Sequence, residues 1–217
     1  MNLDFSDDQK YLQEEARKFF DKENTLKSSR NILENKLHTD ECLWKKVVDL
    51  GWTGITIAEE YDGLGLGHLE LCVLAEEMGR VLAPIPFSSS VYLFTEAINK
   101  FASDEIKKDI LPKLVSGEIV GTIAVTEELH APTSKNITTT VKNNIVSGTK
   151  IAVPDAKIAT HSIVVAKSDN GIDLRLIDHS LDGICINHTN SVDESRGHFS
   201  MSIENVPTLL IGEEDNG

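Results

Sequence analysis

The sequence predicts a multidomain α and β protein, in which an all-α helical domain precedes a small antiparallel β-barrel domain. Apolar residues recur at helical spacing in the first half and at every second position in the second half. Turn signals follow one another at short intervals after residue 119, as in small barrels and sandwiches. We therefore expect domains over residues 1–118 and 119–217, because 217 residues suffice for two ordinary domains.

The first predicted helix begins at a capping box, in which Ser6 stands three residues before Gln9. Asp7 and Asp8 place negative charge in the first turn, where the helix dipole favours it. An apolar face follows at helical spacing, formed by Leu12, Ala16, Phe19 and Phe20. We expect this face to pack inward.

The other predicted helices mostly end at or just before glycine or proline, residues that favour helix termination, and one ends near Lys100. They are a helix that carries Trp44, Val47 and Val48 and stops at Gly51, one from His68 to Leu82, one from Phe87 to Lys100, and one that carries Ile106, Ile110 and Leu114 and stops at Gly117. Pro84 and Pro86 separate the second from the third of these helices. Pro112 predicts a kink or a restart in the last one.

Alternating apolar positions predict half-buried strands in the second half. The clearest are Ile172, Leu174 and Leu176 in one stretch and Phe199, Met201 and Ile203 in another. The boundary between the two domains is expected between Gly117 and Gly121, where the period of the apolar pattern changes.

Charge and cysteine content exclude several classes of partner and site. Lys plus Arg is 21 and Asp plus Glu is 35, a net charge of −14 that predicts no nucleic-acid partner. The three cysteines are widely separated and the seven histidines lack metal-ligand spacing, so neither disulfides nor a metal site is predicted. No apolar run approaches about 18 residues and no signal-peptide pattern is present. We expect a cytoplasmic protein without a membrane span.

Several motifs occur in an order that is typical of one enzyme family. They are residues 50–52 with the glycine-rich stretch 59–67, residues 76–80 with 84–87, residues 124–127, residues 147–156, and residues 193–196 with 206–212. In this order they resemble the acyl-CoA dehydrogenase family, over essentially all 217 residues. The resemblance implies FAD as cofactor, an acyl-CoA substrate, electron-transfer flavoprotein as acceptor, and a homo- or hetero-oligomer.

The resemblance also implies which residues contact the flavin. Val125 and Thr126 match the family segment that touches the flavin ring with backbone groups and a hydroxyl, and Val153 and Pro154 match a second flavin-contacting segment. The family loop between them departs from its usual pattern, because Pro132 stands where a serine serves cofactor and thioester. Ala152 and Pro154 likewise replace a tryptophan and a threonine, so aromatic stacking on the flavin is lost.

Two further assignments leave alternatives open. Phe87, Val91 and Phe94 are spaced to line one side of the helix that shapes the family's acyl pocket, or else belong to the helical core. Arg196 fits a contact with a CoA phosphate, or else a salt bridge inside the barrel.

The family's third, helical domain supplies the carboxylate base and has no counterpart in these 217 residues. The resemblance therefore implies an incomplete chain with no catalytic residue of its own. Two other readings remain open: a non-catalytic acyl-CoA dehydrogenase-like subunit or scaffold that binds no flavin, and another enzyme of the same superfamily, an oxidase or a flavin monooxygenase.

Overall fold

The computed structural model describes residues 4–23, 25–35 and 37–212. Helices come first, in the order α1 Asp7–Lys22, α2 Thr25–Asn35, α3 Glu41–Asp49, α4 His68–Arg80, a π-helical segment Ser88–Thr95, α5 Glu96–Phe101 and α6 Asp104–Val115. Strands follow, in the order β1 Gly121–Ala124, β2 Thr140–Lys142, β3 Ile145–Pro154, β4 His161–Lys167, β5 Ile172–Asp178, β6 Ile184–Thr189, β7 His198–Pro207 and β8 Leu209–Ile211. The predicted succession of a helical domain and a mainly antiparallel β domain is confirmed.

Helix α1 begins as its sequence predicts. The Ser6 hydroxyl accepts from the Gln9 amide at 3.2 Å, and the Gln9 side chain accepts from the Ser6 amide at 3.0 Å. Ala16 and Phe20 are buried against α4 and Trp52. Helix α3 ends before Gly51, which has the left-handed φ of 74° that glycine adopts without steric strain.

Helix α2 was not predicted, because its sequence carries few large apolar residues. Its buried side is partly polar and is held by hydrogen bonds to the main chain. The Ser29 hydroxyl lies 2.9 Å from the carbonyl oxygens of both Thr25 and Leu82. Tertiary contacts with the segment after α4 therefore stabilise a helix that its own hydrophobic pattern does not indicate.

The helix predicted from Phe87 to Lys100 has two parts in the structure. Its first part, Ser88–Thr95, is π-helical, a geometry that is rare and frequently found at functional sites. Phe94 in this segment packs on the backbone of Gly121, where a Cβ atom would lie 2.1 Å from the Phe94 ring. Glycine at this position lets β1 approach the π-helical segment closely.

The sheet is open and does not close into the predicted small barrel. Its strand order is β6-β7-β3-β2-β4-β5-β8, with β1 added beside β4. Strands β1 and β2 run parallel to β4, and the other pairs are antiparallel. Alternation in sequence indicates which residues face the core, but closure depends on the tilt and stagger of the end strands, β6 and β8, which alternation does not specify.

The helical half and the sheet share a hydrophobic core. Phe94, Ile98 and Leu111 from the helical half pack in one buried cluster with Ile163 and Leu176 from β4 and β5. The relative position of the two halves is thereby set by apolar packing. Within the described ranges, no helix has the length and apolar character needed to cross a membrane.

Candidate functional site

The residues expected to contact the flavin lie side by side, next to the ends of β1 and β3. Val125 and Thr126 directly follow β1, and Val153 and Pro154 end β3. The Ile151 amide donates to the Thr126 carbonyl at 2.7 Å, and the Thr122 hydroxyl donates to the Pro154 carbonyl at 2.6 Å. We call residues 125–126 and 151–154 the ledge.

A β-bulge shapes the ledge on the β3 side. The pairing of β3 with β7 shifts register between Lys150 and Val153, and Ala152 between them has a left-handed φ of 53°. The Val153 side chain is buried in the sheet core, whereas Ala152 is exposed and Pro154 is half-buried. Bulges often occur beside active sites because they redirect the main chain. This ledge therefore offers main-chain groups and small side chains to a ligand.

A buried ion pair stabilises the ledge. The Lys150 side chain is fully buried, and its Nζ donates to Glu127 Oε1 at 2.7 Å and to the Val125 carbonyl at 3.0 Å. Glu127 also accepts from the Thr138 amide at 2.5 Å and from the Thr139 amide at 2.9 Å. The pair thus joins β3, the segment after β1 and the far end of the loop that separates them.

The same contacts control the ionisation of the pair. Burial opposes the charged form of Glu127, but hydrogen bonds from Lys150, Thr138 and Thr139 outweigh it and lower the pKa of Glu127 to about 2. Burial also lowers the pKa of Lys150, and the Glu127 carboxylate opposes that shift. Glu127 is accordingly ionised and fully engaged at neutral pH.

The loop that departs from the family pattern lies at the surface. Residues 128–135 are exposed, and Leu129 is 98% exposed. Its end is closed by Asn136, whose side-chain oxygen accepts from the Thr133 amide at 2.6 Å. Pro132 borders a small hollow of about 210 Å³ together with Val125.

The three residues proposed for the acyl pocket are all buried, with relative exposures of 2% for Phe87, 1% for Val91 and 0% for Phe94. Phe87 and Val91 pack in the core of the helical half, and Phe94 packs in the shared core. Of the three, Phe87 also borders a groove of about 270 Å³. Other residues along this groove are Met78, Leu82, Ile85, Tyr92 and Arg196.

Arg196 forms a salt bridge with Asp155, the second of the two alternatives left open by the sequence, and the contact with a CoA phosphate stays a prediction. Its guanidinium contacts the carboxylate of Asp155 and the hydroxyl of Ser88. Asp155 is 3% exposed and also accepts from the Ser89 hydroxyl at 2.6 Å. Sequence reasoning assigned no role to Asp155, although the residue stands in the quoted motif directly after Pro154.

The comparisons with known proteins agree with this architecture. The chain matches the family described as acyl-CoA dehydrogenase, N-terminal domain, over residues 6–118. It is 29% identical over 178 residues to the mitochondrial isovaleryl-CoA dehydrogenase of Solanum tuberosum, a match that covers 77% of this chain and 42% of that enzyme. The chain thus spans less than half the length of this curated relative.

Solved structures show the same fold. A variant of the Tcur3481–Tcur3483 steroid ACAD is 28% identical with a TM-score of 0.82, covering 94% of this chain and 57% of the other. The FAD complex of PigA is 21% identical with a TM-score of 0.88, covering 100% of this chain and 61% of the other. The family match shows that the chain belongs to the acyl-CoA dehydrogenase family, and the PigA complex shows FAD bound by a protein of the same fold.

Proposed function

We propose that this chain forms the helical and β domains of an FAD-dependent acyl-CoA dehydrogenase that desaturates the α,β bond of an acyl-CoA thioester. The observation that carries the proposal is the ledge, because it joins two sequence-distant segments that the family uses against its flavin. The ledge is open at the surface, and an ion pair without solvent-exposed charge holds it in place.

The ledge fits a flavin ring by its chemistry. An isoalloxazine has flat apolar faces and a polar edge, which suit a half-buried strand end with small side chains, main-chain polar groups and the hydroxyl of Thr126. Ala152 and Pro154 add neither an aromatic face nor a hydroxyl, so we expect main-chain contacts to dominate the binding. Bound FAD would supply the hydride acceptor for the reaction.

Glu127 is not the base in this proposal, although it directly follows Thr126 of the ledge. A general base needs a pKa near the working pH and a free acceptor atom. The pKa of Glu127 is lowered to about 2, and both of its oxygens accept hydrogen bonds. We therefore do not assign Glu127 the role of the base, and we propose no other described residue for it.

The remaining expectations about partners belong to the same proposal. We propose electron-transfer flavoprotein as the electron acceptor, assembly as a homo- or hetero-oligomer, and a reducing, cytoplasmic environment, for which the free and exposed Cys42, Cys72 and Cys185 provide support. The second candidate is a non-catalytic subunit that binds no flavin, which the replacements at Ala152, Pro154 and Pro132 favour.

Titration with FAD separates the two candidates. The purified chain is mixed with FAD, and quenching of flavin fluorescence and co-elution on gel filtration give the dissociation constant. We expect binding, and we expect Thr126→Ala to raise the dissociation constant about 2- to 10-fold through loss of one hydrogen bond. Thr189→Ala, at an exposed position on β6, is the matched control and should leave it unchanged. A protein that binds no FAD would favour the non-catalytic subunit.

A further inference from the structure

Asp155 occupies the junction between the ledge and the rest of the molecule. It directly follows Pro154 and has a left-handed φ of 52°, which is costly for a residue that bears a Cβ atom. Its amide donates to the Gly197 carbonyl at 3.0 Å, and its side chain is buried. A strained backbone and a buried carboxylate at one residue indicate a position that the surrounding structure holds in place.

The partners of Asp155 come from two other parts of the chain. Ser89, in the π-helical segment, donates to its carboxylate at 2.6 Å, and both residues are buried. Arg196, from the segment before β7, binds the same carboxylate and also the hydroxyl of Ser88. The carboxylate therefore connects the ledge, the π-helical segment and the segment before β7 through polar contacts.

These contacts add something that the shared apolar core does not supply. Apolar packing has no preferred direction, whereas hydrogen bonds to a charged group are short and directional. The Asp155 contacts act within one residue of the ledge on one side and at the start of the π-helical segment on the other. They are therefore placed to set the spacing between the ledge and the groove that Ser88 and Arg196 border.

We infer that Asp155 is a positioning residue, which couples the cofactor ledge to the π-helical segment through Ser89 and Arg196. This inference rests on the proposed function for its link to FAD, but the mechanical coupling is a property of the chain itself. When the coupling is lost, the bulge at Ala152 is free to shift away from Thr126. FAD binding then weakens although no group facing the cofactor has changed.

Hydrogen exchange in the cofactor-free protein tests the coupling. The reporters are the amide of Ile151, which donates to Thr126, and the amide of Ser90, which donates to Pro86. We expect both Asp155→Asn and Ser89→Ala to accelerate exchange at both amides by about 10-fold or more, since each change weakens a hydrogen bond to a buried charged group. Ser89→Ala removes only a hydroxyl, so it keeps the test valid should Asp155→Asn fail to fold.

The matched control is Asp173→Asn, which alters another buried aspartate–arginine pair, on β5. It should lower global stability without selective acceleration at Ile151 and Ser90. The inference is overturned if Ser89→Ala affects Ser90 but leaves Ile151 unchanged. It is also overturned if Asp173→Asn accelerates exchange at both amides to the same degree as Asp155→Asn.

FAD titration of the same variants separates this inference from the proposed function. If the wild type binds FAD, we expect the dissociation constant to rise about 10-fold in Asp155→Asn and in Ser89→Ala. Unchanged FAD binding in these variants would overturn this inference but not the proposed function. A wild type that binds no FAD refutes the proposed function and the cofactor part of the inference. The exchange data still decide whether the coupling exists.

Discussion

Two buried ion pairs of the β domain differ in what they connect. Glu127 and Lys150 are 23 positions apart and join a loop to a strand, and the Lys150 ammonium also binds the Val125 carbonyl of the ledge. Asp173 and Arg175 stand two positions apart on β5, and Arg175 also donates to the side-chain oxygen of Asn144 in the turn before β3. The first pair sets tertiary geometry at the candidate site, and the second stabilises the sheet away from it.

The two pairs also differ in how fully their polar atoms are satisfied. Glu127 accepts from Lys150 and from the main chain of Thr138 and Thr139. Arg175 Nε, by contrast, is buried and makes no hydrogen bond among the residues that the structure describes. Because an incomplete network contributes less, breaking the first pair should cost more than breaking the second.

The largest effect is expected from Lys150→Met. It leaves the Glu127 carboxylate buried without its cation, and the free energy of unfolding should fall by about 3–5 kcal/mol in urea denaturation. Lys142→Met, at an exposed position on β2, is the control and should change it by less than about 0.5 kcal/mol. A loss below about 1 kcal/mol for Lys150→Met would show that the pair is not structural.

The second-largest effect is expected from acid, which should weaken the Glu127–Lys150 pair. The pKa of Glu127 is about 2 in the folded chain against 4.5 for the unperturbed group, so its ionisation stabilises the fold above pH 4.5. This contribution, about 3 kcal/mol at most, is lost as the pH falls from 4.5 towards 2. Urea unfolding across this range should show the loss in the wild type. The double variant Glu127→Gln, Lys150→Met should lack this pH-dependent loss. If the free energy of unfolding falls equally with pH in the wild type and in the double variant, the loss does not come from Glu127.

A smaller effect is expected at the second pair. Asp173→Asn keeps the shape of the side chain and removes its charge, which should lower the free energy of unfolding by about 2 kcal/mol. FAD affinity should not change, because β5 does not contribute to the ledge. A fall in FAD affinity would mean that the Asp173–Arg175 pair also affects the candidate site.

The smallest effect is expected at a surface pair. Lys113 and Asp109 are one helical turn apart on α6, with side chains 38% and 63% exposed. Asp109→Asn should change the free energy of unfolding by no more than about 0.5 kcal/mol, because water screens exposed charges. A larger loss of unfolding free energy in thermal or urea denaturation would show that burial does not explain why the ion pairs differ in their contribution to stability.

Much of the candidate site could be predicted from sequence, because its motifs are local. The segments around Thr126 and Pro154 were assigned to one ligand by resemblance, and the structure places them in contact through Ile151 and Thr122. The roles of Glu127 and Lys150 could not be predicted, since a buried ion pair and a surface pair use the same residue types. The sequence likewise did not indicate that His179 is half-buried, where burial lowers its pKa to about 4.

The sequence by itself determined the order of helices and strands, the capping box at Ser6 and the end of α3 at Gly51. These features depend on hydrophobic period and on local backbone chemistry, which neighbouring residues contain. The tertiary structure alone decided helix α2, the open sheet and the contacts of Asp155. Each of these depends on groups far apart in the chain, and their meeting requires the packed core that brings the two halves together.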